Sequence, residues 1–99
     1  MALRVKISAR AESQIRQVAG WWSENRTKAP GAVRIDLNEA FTLLSHQPGL
    51  GSPCTNVGSP GVRRLLLGRL RYFLYYRMKD DTLEILAFWH ASRGEPSRL

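Results

Sequence analysis

Apolar and polar positions change period along this chain, and the changes mark its elements. Residues 3–8 alternate, with Leu3, Val5 and Ile7 on one side and Arg4, Lys6 and Ser8 on the other. A period of two predicts a half-buried strand. The next apolar positions, Ala11, Ile15, Val18, Ala19 and Trp22, step by four, three, one and three. That spacing makes one stripe on a helix, with Ser8 as its cap, Glu12 near its positive end and Arg26 and Lys28 near its negative end. Gly20 weakens it slightly, and Asn25 sits where it should stop. Pro30 opens a second helix, because a first-turn N–H has no helical partner to lose. Val33, Leu37, Ala40, Phe41 and Leu44 repeat the stripe until Pro48-Gly49 ends it. Two helices joined by so short a link form an antiparallel hairpin.

Residues 48–61, PGLGSPCTNVGSPG, hold four glycines and three prolines and read as a long loop. Strand patterns return at 62–67, 71–78 and 83–89, separated by the turns Gly68-Arg69-Leu70 and Lys79-Asp80-Asp81-Thr82. The last run is apolar on both faces except at Glu84, which places it inside a sheet. The expected fold is α+β, in the order strand, helix, helix, strand, strand, strand. The helical hairpin covers one face of a mainly antiparallel four-stranded sheet and leaves the other open. In the strand 71–78, Tyr72, Leu74, Tyr76 and Met78 are expected to face the helices, and Arg71, Phe73, Tyr75 and Arg77 to face outward.

Charge sharpens this picture. Among 99 residues there are fifteen Lys and Arg against eight Asp and Glu, a net charge of +7, and twelve of the fifteen are arginine. The segment 61–79, GVRRLLLGRLRYFLYYRMK, has six bases, three tyrosines and no acid. Arginine offers a planar fork suited to phosphate and carboxylate, so an anionic partner is expected, either nucleic acid or an acidic protein segment. Length and composition fit one globular domain over residues 1–99. No apolar run is long enough to span a membrane, and the first residues lack the apolar core of a secretory signal. The single cysteine, Cys54, forms no internal disulfide, which fits a cytoplasmic location.

RNA cleavage without a metal would need a base, an acid and cations around the phosphorane. The candidates for that chemistry are His90, with Glu84 as an alternative base, and Arg71, Arg93 and Arg64 as charge stabilisers, joined by Arg63 and Arg69. Tyr75 or Tyr76 could stack on a base. The same residues suit a protein partner equally well, since tyrosine is also simply a good strand former. Trp21 adjoins Trp22 and therefore points to another side of the helix, where it is available to an interface. His46 reads as a cation at the C-terminal end of the second helix, and Cys54 as incidental to chemistry. His46, His90 and Cys54 show no metal-ligand spacing, so neither metal nor cofactor is expected.

Three stretches in this order, WWSENRTKAPGAVRIDLNEAFTLL, GVRRLLLGRLRYFLYYRM and LEILAFWHASRGEP, resemble the RelE/ParE superfamily of type II toxin–antitoxin toxins over essentially the whole chain. The resemblance implies a growth-inhibiting toxin in a hetero-oligomer with a cognate antitoxin, ParD-like or similar. ParE-like members poison DNA gyrase, whereas RelE-like members cleave messenger RNA on the ribosome. The tail here has no tyrosine and the hairpin has only Lys79, departures from the ribonuclease pattern that favour the ParE-like reading. Under it, Arg63, Arg69, Arg71, Tyr75, Arg77, Trp21 and Arg93 are expected to meet antitoxin or target, without catalysis. A RelE-like endoribonuclease is the alternative, and a non-toxic basic nucleic-acid-binding module a second.

Overall fold

The computed structural model describes residues 3–26, 28–55, 57–96 and 98–99. Strand β1 (Arg4–Ile7) leads into helix α1 (Ala9–Asn25), followed by α2 (Ala32–His46). A two-residue strand β2 (Ser52–Pro53) precedes β3 (Arg63–Leu67), β4 (Tyr72–Lys79) and β5 (Thr82–His90). The sheet runs β1-β5-β4-β3-β2, with β1 parallel to β5 and the other pairs antiparallel. The expected α+β architecture is present with one strand more than its sequence pattern shows. Two residues cannot display a period, so β2 is invisible in the Gly/Pro-rich loop.

Local chemistry sets the helices. Ser8 Oγ accepts the Ala11 N–H at 3.0 Å, capping α1, and also donates to the Leu86 carbonyl at 3.2 Å. The second helix starts at Ala32 with Gly31 as its cap, so Pro30 belongs to the preceding turn rather than to the first helical turn expected of it. Ala11 and Ile15 of α1 pack with Val33, Leu37, Ala40 and Leu44 of α2 over Leu74, Tyr76, Leu83, Ile85 and Phe88 of the sheet. This is the main core, and it follows the two helical stripes. At the sheet edge, Val5 and Ile7 of β1 remain 40% and 37% exposed, so this strand is less buried than its alternation predicts.

The other face is not open along its length. Cys54, Val57 and Val62 from the loop, with Leu99 from the tail, cover Phe73, Tyr75, Ala87 and Trp89. Tyr75 is 0% exposed, which corrects the outward placement of Phe73 and Tyr75. The loop is fastened by several bonds. Gly51 N–H donates to Tyr76 Oη at 2.8 Å, and that hydroxyl donates to the Pro48 carbonyl at 2.8 Å. Arg63 donates to the Gly51 carbonyl at 2.7 Å. Leu99 N–H bonds the Val57 carbonyl, and Ser59 Oγ donates to the Leu99 carbonyl.

One irregularity decides which residues meet. Tyr75 opposes Ala87 while Tyr76 opposes Ile85, so Leu86 is an extra residue in β5, a bulge. Strict alternation would group Phe88 and His90 with Glu84. The bulge resets the count, so that Phe88 joins Leu83 and Ile85 against the helices and His90 follows on that side. Beyond the end of β1, α1 serves the exposed backbone of β5, with Gln14 Oε1 accepting the Phe88 N–H at 2.8 Å.

Candidate partner-binding cleft

The end of β5, the β3–β4 turn and the last turns of α1 enclose a cleft. It consists of two adjoining hollows of about 380 Å³ each, which share Trp21, Tyr72 and His90 as walls. Arg93 closes one side of the cleft, while Arg26, Arg69 and Arg71 border the other. Among the described residues, no carboxylate lines either hollow.

Its floor is aromatic. Tyr72 stacks on Phe88 with ring centroids 4.7 Å apart, and His90 meets Tyr72 edge-on at 4.9 Å. Ser92 N–H donates to His90 Nδ1 at 3.1 Å, so the neutral ring carries its proton on Nε2. Trp21 is 51% exposed and forms the helix wall. The guanidinium of Arg26 lies 5.7 Å from the centroids of both Trp21 and Trp22, and that of Arg93 lies 4.2 Å from Trp89. Such cation–π contacts hold the charges in place without neutralising them.

Arg71 stands apart from the other cations. Its φ is +64°, in the left-handed region that a side-chain-bearing residue adopts at a cost. Its N–H donates to the Leu67 carbonyl at 2.9 Å, and its carbonyl accepts the Ala91 N–H at 2.9 Å. The turn therefore fixes the backbone of Arg71 beside the start of the tail. The side chain is exposed and has no hydrogen bond or ion pair among the described residues. Arg69 differs, since it grips Asp36 through two hydrogen bonds of 3.0 and 2.5 Å.

Of the residues singled out from sequence, Trp21, Arg69, Arg71, His90 and Arg93 meet at this cleft. The others do not. Arg63 holds the loop through the Gly49 and Gly51 carbonyls. Arg64 lies 4.1 Å from the Phe73 ring centroid and reaches the Tyr75 hydroxyl at 3.4 Å, on the loop-covered face. Arg77 pairs with Glu84 at 2.7 Å, and this hydrogen bond holds the Glu84 carboxyl below its ordinary value. Glu84 and His90 lie on opposite faces because of the bulge at Leu86. Sequence reading missed Arg26 as a cleft residue. Its spacing of four and five from the two tryptophans was the available signal.

Comparison with known proteins places this fold in a family. A profile of the ParE toxin of the type II toxin–antitoxin system parDE matches residues 5–94. The chain belongs to the ParE toxin family. A solved structure described as the chromosomal ParDE toxin–antitoxin system from P. aeruginosa superimposes with a TM-score of 0.72 at 25% identity, over 90% of this chain and 96% of that one. No curated protein matches at a significant level. The ParE assignment agrees with the helical hairpin on a mostly antiparallel sheet. No helix among the described residues is long and apolar enough to cross a membrane.

Proposed function

We propose that this ParE-family chain arrests bacterial growth by binding DNA gyrase, that it does so without catalysis, and that a cognate antitoxin neutralises it in a cytoplasmic hetero-oligomer. Family membership supports the toxin role and the antitoxin partner. The observation that carries the non-catalytic reading is the separation of His90 from Glu84, the two proton-transfer candidates of a metal-free ribonuclease. Glu84 is tied to Arg77 and Arg64 to Phe73 and Tyr75, on the face away from the helices. His90 stands on the helix face with Nδ1 bonded to Ser92. His90 shares its cleft with Arg71 and Arg93, but Glu84, the other proton-transfer candidate, lies on the opposite face, so metal-free cleavage would lack its second acid–base group there. The cleft offers cations, an aromatic floor and a half-exposed tryptophan, which are the ingredients of a protein interface.

Pulse labelling of DNA and protein synthesis after induction of this chain alone tests the proposal. DNA synthesis should fall first while translation continues. An early fall in translation would instead support the RelE-like endoribonuclease.

A further inference from the structure

We infer that the cleft between α1 and the β3–β4 turn is a socket for an acidic side chain flanked by apolar residues, presented by a protein partner. This deepens the reading of the chain as a toxin that meets its antitoxin or target through protein contacts, and it rests on that reading.

The electrostatics are one-sided. Arg26, Arg71 and Arg93 border the cleft, and no carboxylate among the described residues lines it. Among the described residues the Arg71 side chain has no hydrogen-bond or ion-pair partner, and its backbone is held in a left-handed conformation that glycine would adopt without strain. A costly residue in a turn that glycine would serve better points to a use for the guanidinium. His90 Nε2–H is a second donor, fixed by the bond from Ser92 to Nδ1. A carboxylate between these groups would gain charge-assisted bonds from Arg71 and a hydrogen bond from His90.

The shape favours a peptide over a nucleic acid. Each hollow holds about 380 Å³, room for a few side chains. Val18 lines one hollow, Leu70 the other and Trp21 both, which adds apolar surface to the walls that carry the cations. A nucleic-acid strand would be bound along a continuous groove with successive stacking platforms. Phe73 and Tyr75 instead pack with the loop and tail on the other face, and the ring of Trp89, which lines one hollow, carries the Arg93 guanidinium.

The test uses a displayed library of random dodecapeptides selected on the full chain. Enriched sequences should carry Asp or Glu beside Leu, Ile, Val or aromatic residues. Arg71→Glu should weaken a selected peptide by about tenfold or more, while Lys79→Glu, at the far end of β4, should leave it unchanged. Circular dichroism of the variants checks their folding, and Arg71→Gly supplies a second cleft variant that the turn accommodates. Enrichment without acids, no enrichment, or equal binding by both Arg71 variants and the parent would overturn the assignment. Tighter, Arg71-dependent binding of a fluorescein-labelled single-stranded twelve-nucleotide DNA or RNA would overturn it in favour of nucleic acid. Growth arrest without acidic enrichment would sink the socket and leave the toxin reading standing. Acidic enrichment in a chain that arrests nothing would support the socket while the toxin reading fails.

Discussion

Replacing Arg71 with glycine should make the protein more stable and less able to bind. The residue sits at φ +64°, exposed, at the end of the β3–β4 turn. A left-handed backbone costs a residue with a Cβ about 1–2 kcal/mol. Glycine removes that cost but gains about 0.5–1 kcal/mol of freedom in the unfolded chain. The two backbone hydrogen bonds of residue 71, to Leu67 and from Ala91, survive the change. The side chain makes no fold-stabilising ion pair among the described residues, so little else is lost. The difference is a gain of up to about 1.5 kcal/mol, read as a rise in Tm of up to roughly 12 °C for a domain of this size. Urea unfolding followed by far-ultraviolet circular dichroism measures it, and an unchanged slope with denaturant shows that the unfolded state is the same. A loss of about 0.5 kcal/mol or more would refute the reasoning, because it would mean that the guanidinium supports the fold.

Further predictions concern the covered face. Gly51→Ala should cost about 2–4 kcal/mol by chemical denaturation, since a Cβ would stand 2.5 Å from Tyr76 Oη and 2.7 Å from the Arg64 carbonyl. The Cys54 thiol is buried and burial pushes its pKa up. It should therefore react slowly with a disulfide reagent, and Leu99→Ala, which loosens the cover over it, should speed the reaction. Glu84, held low by Arg77, contributes stability that is present above the unfolded carboxylate pKa and lost as pH falls through the folded value. The parent should exceed Arg77→Ala by at most about 1 kcal/mol near neutrality. That margin should shrink below about pH 4, and a margin independent of pH would contradict the pairing.

The helical hairpin was legible because each helix carries a complete apolar stripe and Ser8 supplies a cap that the structure uses. The tyrosines were legible only in part. Tyr76 faces the helices as its alternation implies, yet Tyr75 lies under a loop whose covering residues, Cys54, Val57 and Val62, form no periodic pattern. Burial by an irregular segment leaves no repeat in the sequence. The bulge was equally hidden. LEILAFWH reads the same with or without an extra residue at Leu86, but the bulge moves His90 to the opposite face from Glu84. Its consequence is that Glu84 is parted from His90, which joins Arg71 and Arg93 at the cleft. Arg26 was read from sequence as a favourable charge at a helix end, while the structure also stacks it on two tryptophans.

The central claim is that this chain acts on gyrase by binding. Its most direct test is plasmid supercoiling by purified gyrase in the presence of the purified chain, alongside His90→Ala. The account predicts that the parent inhibits supercoiling or traps cleaved DNA, and that His90→Ala retains at least part of that effect because no proton transfer is involved. Gyrase left fully active, with messenger RNA cut on ribosomes by the parent and not by His90→Ala, would contradict it.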